Sequence, residues 1–176
     1  MASSVGGNLD YLATGPSKLT WGGNALGHTI GGVSVNVAVQ SRDRKVDEFG
    51  ETITDIIHTG DNVEIKTTLG ERSMRTLTTV YALNGTGLTS YEGIGKRPGT
   101  TGRSVAGALV IHPLFMGAAT TRDVTFYKTV PVPGGDVQYG SVSSDNVYQV
   151  TFRALVDDTK GDGVLLGRIS EPRNVS

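Results

Sequence analysis

In Val33-Ser34-Val35-Asn36-Val37-Ala38-Val39-Gln40 every second residue is valine, alternating with Ser34, Asn36, Ala38 and Gln40, and Val63-Glu64-Ile65-Lys66-Thr67-Thr68-Leu69 alternates in the same way further on. A period of two puts successive side chains on opposite faces of a strand, so each stretch predicts one buried and one wet face. Between them runs a charged, turn-prone segment, Arg42-Asp43-Arg44-Lys45-Val46-Asp47-Glu48-Phe49-Gly50-Glu51. The chain then returns through Ile53 and Asp55-Ile56-Ile57 to a predicted turn at Thr59-Gly60-Asp61. The whole reads as a long β-hairpin with a charged tip and a body belonging to a twisted sheet. The valine face, with Val63, Ile65, Thr67 and Leu69, is expected to pack on a core, and the opposite face to meet something polar.

Working outward, the 176 residues fit one domain, with residues 1–18 as an N-terminal arm and 19–176 as the folded unit. The chain holds 25 glycines, about twice the usual share of ~7%. Thr and Val come next, a composition that favours strands and tight turns over helices. Charged residues make up 19%, below the usual ~25%, which suits a surface covered by partners as well as an ordinary soluble β-protein. The formal net charge of −1 argues against a dedicated nucleic-acid binder, which needs a basic face to displace counterions from phosphates. With no cysteine, disulfides and thiolate chemistry are excluded. The N-terminus lacks the basic start and apolar run of a signal peptide, and no stretch is apolar enough for a membrane span. A soluble chain made in the cytoplasm is expected.

Residues 1–18 are small and Gly-rich, with Leu9, Tyr11 and Leu12 as anchors, and read as an arm that orders against a neighbour or its own sheet. Lys18–Trp21 predicts a short strand, and Gly31-Gly32 a turn into the main hairpin. Met74, Leu77 and Tyr81 fall on one helical stripe within 71–83, Glu71 and Arg75 make an i,i+4 pair, and Asn84-Gly85 is a stop signal. The expectation is one helix packed on the sheet. Residues 86–104 read as a Gly-rich loop, long enough to imply a task. Further strands are expected over Val105–His112, over Val124–Thr129, with Val124, Phe126 and Lys128 on one face and Thr125, Tyr127 and Thr129 on the other, ended by Pro131 and Pro133, and over Tyr148–Val156. A polar, turn-rich tail follows. The fold class is mainly β, an antiparallel sandwich or barrel with one flanking α-helix.

No catalytic constellation emerges. His28, His58 and His112 stand far apart, without metal-ligand spacing. Asp157-Asp158-Thr159-Lys160-Gly161-Asp162-Gly163 has the look of a calcium loop, but Lys160 takes the place of an oxygen ligand and no Glu closes it, so a solvated turn is the expectation. Gly93-Ile94-Gly95-Lys96 lacks the spacing of a phosphate loop, and Ser104 lacks a Gly-x-Ser-x-Gly elbow. The chain is expected to be neither an enzyme nor a cofactor binder.

The order of these elements, with the phrases Thr59-Gly60-Asp61, His112-Pro113 and Tyr148-Gln149-Val150-Thr151-Phe152-Arg153-Ala154-Leu155-Val156-Asp157, resembles the major tail tube proteins of bacteriophages, of the siphophage type. The likeness spans most of residues 20–160. It implies a structural virion protein that self-assembles into hexameric rings, stacked into a hollow tail through which DNA passes during ejection. Its implied partners are further copies of itself, the tape-measure protein, and tail terminator and distal tail proteins. Assembly would take place in the host cytoplasm, and the lumen would hold DNA without specific binding. The resemblance makes Arg42, Asp43, Arg44, Lys45, Asp47, Glu48, Phe49 and Glu51 the candidate inter-ring or subunit contact loop, with 1–18 and 86–104 as further contacts. The alternative for that loop is a solvated hairpin tip. Ser34, Asn36, Gln40, Glu64 and Lys66 become candidates to line the lumen, where uncharged and mixed-sign side chains suit sliding better than a basic stripe. Lys66 and Arg153 depart from the acidic lining the resemblance would suggest. The alternatives are another virion β-domain, in head–tail joining or capsid decoration, and a monomeric ligand-binding β-sandwich. Against the last stands an aromatic content of 6%, with Trp21 the sole tryptophan.

Overall fold

Nine strands build one antiparallel sheet in the computed structural model, which describes residues 16–27, 29–70, 99, 101–132, 137–138 and 147–170. They are β1 (Ser17–Trp21), β2 (Asn24–Ala25), β3 (Thr29–Lys45), β4 (Ile53–Leu69), β5 (Gly107–Pro113), β6 (Val124–Val132), β7 (Val137–Gln138), β8 (Val147–Leu155) and β9 (Gly167–Ile169). The order across the sheet is β2-β1-β5-β6-β8-β4-β3, with β7 added to β8 and β9 to β6. Among the described residues no ladder joins β2 to β3, so the sheet is open. It nevertheless curls, for the Thr29 hydroxyl at the start of β3 donates to the Ser17 carbonyl at the start of β1 (3.4 Å). The helix expected over 71–83 lies outside the described residues, as do His28, Gly93–Lys96 and most of the arm and of the 86–104 loop.

The concave face holds the core. Leu19 and Leu26, Val63, Ile65 and Leu69 of β4, Leu109 and Ile111 of β5, Phe126 of β6, and Tyr148, Val150 and Phe152 of β8 form one buried cluster. Each fully buried side chain of this size stabilises the fold by about 1.5–3 kcal/mol. In β4 and β8 the alternation read from the sequence is the alternation of burial: Val63, Ile65, Thr67 and Leu69 are inside, as are Tyr148, Val150 and Phe152. Trp21 packs on this cluster with its ring 6.2 Å from that of Phe152, and its Nε1–H donates to the Thr129 hydroxyl (3.1 Å) and carbonyl (3.3 Å). The Thr129 hydroxyl in turn donates to the Gly107 carbonyl (2.9 Å), so a polar side chain with no exposure is satisfied.

Four local expectations are corrected. Thr59-Gly60-Asp61 is not a turn but lies inside β4, where Gln40 faces Gly60 and Ser41 faces His58, leaving Thr59 as a bulge. Gly31-Gly32 is likewise a two-residue bulge within β3, with φ of 76° and 85°, which glycine adopts at no steric cost. Pro131 does not end β6 but is buried within it, opposite Phe152. The β5–β6 ladder has stopped at Thr129, so the missing N–H breaks no bond on that side. The same ladder contains a bulge, so Thr129, expected on the face away from Phe126, points inward with it.

Candidate functional site: the β3–β4 ribbon

The β3–β4 hairpin is two strands of 17 residues each, about 58 Å long at 3.4 Å per residue. Only its base belongs to the sheet body. β8 pairs with β4 from Glu64 to Leu69, and outward from there no further strand among the described residues joins the pair. Some eleven residues of β4, roughly 35 Å, therefore project beyond the sheet. The tip is short. A 3-10 turn at Asp47–Phe49 carries the chain over, and Gly50 takes a positive φ of 60° to close it. Phe49 N–H donates to the Val46 carbonyl (3.0 Å) and Thr52 N–H to that of Phe49 (3.3 Å). Lys45 and Glu51 form an ion pair across the neck.

Arg42, Asp43, Arg44 and Lys45, expected in the loop, are strand residues facing Ile57, Ile56, Asp55 and Ile53. Asp47, Glu48 and Phe49 make the turn, and Glu51 follows it. All eight are exposed, Phe49 at 62%, so both charge signs and one aromatic ring are presented at the far end of the ribbon.

Antiparallel partners share a face, and the register places all five lumen candidates together. Ser34 faces Lys66, Asn36 faces Glu64, and Gln40 faces Gly60 on the same side. β8 extends this surface with Thr151 opposite Lys66 and Arg153 opposite Glu64. Glu64 accepts from Arg153 Nη2 (2.9 Å) and Nε (3.0 Å), and Lys66 Nζ lies 3.6 Å from it. The cationic Lys66 and Arg153 thus share a carboxylate, and the face is polar and mixed in sign rather than a basic stripe.

The valine face departs from its expectation. Val33 packs against the core, but Val37, facing Val63 of β4, is 57% exposed and Val39, facing Asp61, is 65% exposed. Near the base, Val35, Val37 and Val63 line an open, mainly apolar groove of about 560 Å³, closed on its other side by Val124, Phe126, Leu165 and Leu166. His58 and Asp61, paired at 2.8 Å, stand at its rim. Further out Ile56 is 64% exposed.

The third property of the ribbon is its edge. β3 is the last strand of the sheet, and along its outer side the described residues provide no partner. Natural edge strands are shielded by lysine, proline or brevity. Val33 to Gln40 has none of these: eight residues without a charge or a proline, in a strand of 17. The alternation was legible in the sequence, but the edge position was not, since it depends on which strands pair.

Elsewhere the chain holds tight ion pairs that sequence spacing did not reveal. His112 pairs with Asp123, Arg103 with Asp158, and Lys128 with Asp157. In the Asp157–Gly163 turn the Asp157 carboxylate accepts from Lys128 (2.8 Å) and from the Thr159 hydroxyl (2.9 Å), which together hold its pKa down at about 2. These contacts engage its Oδ1 within the protein itself. No helix among the described residues is long and apolar enough to cross a membrane. No family model matches the chain, and no curated protein matches its sequence.

Proposed function

We propose that this chain is a structural subunit of a phage tail tube, and that copies join side by side into rings through the free edge of β3. The observation that carries this reading is the edge of β3, without charge or proline from Val33 to Gln40 and without a partner among the described residues, in a ribbon that projects past its own sheet. An isolated two-stranded ribbon with apolar side chains on one face is marginal in water. Strand addition from a second copy would satisfy the unpaired N–H and C=O groups, and ring closure would remove the edge altogether. The barrel that the single open sheet does not complete would then be completed by the ring, with the expected 71–83 helix packed against it.

In this arrangement six copies surround a channel and rings stack into a tube. The polar face, Ser34, Asn36, Gln40, Glu64 and Lys66 with Arg153, lines the conduit for DNA. Glu64 between Lys66 and Arg153 keeps the cations from binding phosphates as a continuous row, which suits transit. The tip, Arg42 to Glu51, carries both charge signs to a neighbouring ring. The protein performs no reaction and uses no cofactor. The tape-measure protein would occupy the lumen before DNA, and terminator and distal proteins would cap the tube ends.

Sedimentation velocity over a wide concentration range, followed by negative-stain electron microscopy, tests the reading. Annuli or hollow filaments at high concentration are expected. A species that stays monomeric throughout contradicts it.

A further inference from the structure

Where β5 ends and β6 begins, His112 has an acceptor on each ring nitrogen. Nδ1 lies 2.6 Å from the Asp123 carboxylate and Nε2 2.9 Å from the Gly117 carbonyl. Carboxylate and carbonyl oxygens only accept, so both contacts are hydrogen bonds only when the ring donates from both nitrogens, as imidazolium. The two acceptors are held very differently. Asp123 is largely buried and tied by its main chain: its N–H donates to the Thr120 carbonyl (3.3 Å), and its carbonyl accepts from Ser170 (2.8 Å). Gly117 ends the exposed 3-10 turn Leu114–Met116, with a positive φ of 60°. That turn is tied to the sheet through Leu114 N–H, which donates to Pro16 (3.0 Å), and through the His112 ring.

We propose that His112 is a pH-sensitive latch on the turn Leu114–Gly117, holding the turn when protonated and releasing it when neutral. Its last proton stays on Nδ1, because the bond to a carboxylate is the stronger of the two. The lone pair of Nε2 then faces the Gly117 carbonyl, acceptor against acceptor, and the turn loses that tie. Leu114 and Phe115, both half-exposed, move with it.

The surrounding charges support this order. The Asp123 hydrogen bond, then the Gly117 carbonyl, raise the ring's pKa above 6.5, while partial burial and Lys18, opposite His112 on β1, pull it down. Arg122 adjoins Asp123 and places its guanidinium 5.8 Å from the centre of the Phe115 ring. A raised folded-state pKa means that the tie is complete below pH 6.5 and is lost as the pH climbs through the higher folded value. The latch is independent of the tube reading, since none of its residues belongs to the ribbon.

An NMR titration of the full chain follows the His112 ring and the amides of Gly117 and Ala119 together. The ring is expected to titrate above 6.5. Over the same range, amide protection in the turn, corrected for base-catalysed exchange, is expected to fall at least about tenfold, as for losing one charge-assisted hydrogen bond. His112→Gln should abolish the pH dependence, and Asp123→Asn should move the midpoint down. A ring midpoint at or below 6.5, protection that stays constant while the ring titrates, or a midpoint unmoved by Asp123→Asn overturns the proposal. The wild-type titration decides by itself if either variant fails to fold.

Discussion

Tyr148 is buried in the core with its phenolic oxygen unpartnered among the described residues. A buried donor without an acceptor costs about 1–3 kcal/mol, so Tyr148→Phe is expected to raise stability by roughly 1 kcal/mol in chemical denaturation. A loss of similar size would show that the hydroxyl has a partner. Gly167 in β9 is the opposite case. A Cβ there would stand 2.6 Å from the Thr125 carbonyl oxygen and 3.1 Å from the Phe126 Cα, both backbone atoms that cannot step aside. Gly167→Ala should therefore cost about 1–3 kcal/mol, the range for overpacking, and a neutral result would mean that β9 is free to shift. Asp157 makes a statement about pH. Its carboxyl, held at about 2 by Lys128 and Thr159 against an ordinary 3.8, contributes stability that is complete above pH 3.8 and lost as the pH falls toward 2. Asp157→Asn should flatten that part of the acid-unfolding curve. At this scale the sequence was least legible. Glu64 and Arg153 meet only because β4 and β8, far apart in the chain, pair in register, and His112 and Asp123 meet only because of the way the chain turns back from β5 into β6.

At the scale of elements, hydrophobic periodicity served well wherever a strand has one buried face, as in β4 and β8. It misjudged β3 beyond Val35, because alternation reports which side chains share a face and not whether anything covers that face. Turn signals misled for a related reason. Gly31-Gly32, Thr59-Gly60-Asp61 and Pro131 mark departures from regular pairing, and a long strand absorbs such departures as bulges or at a free edge without ending. The exposed part of β3 provides the element-scale prediction. Val37 and Val39 contribute little to the isolated fold, so replacing both by lysine should change monomer stability by no more than about 0.5 kcal/mol in denaturant titration. The same pair of changes shields the edge as natural edge strands are shielded, and should abolish the concentration-dependent species in sedimentation. Unfolding of the double variant would show instead that the valines belong to the core of a single copy.

Taken whole, the molecule combines a satisfied core with an unfinished periphery. Among the described residues, eleven apolar side chains form the buried cluster, while the last strand of the sheet has no partner along its outer side and runs with β4 past the end of the β4–β8 ladder. The mainly antiparallel β class and the long hairpin could be read from the chain, since both follow from local alternation and turn chemistry. Strand order and the open sheet could not, because they depend on pairings between distant segments. Cryo-electron microscopy of particles formed by the concentrated chain tests the central claim most directly. Rings are expected in which β3 of each copy is hydrogen-bonded to a strand of the next, with Ser34, Asn36 and Gln40 turned toward a central channel. Particles in which the outer edge of β3 meets only solvent, or in which those three residues lie on the outer wall, would contradict it.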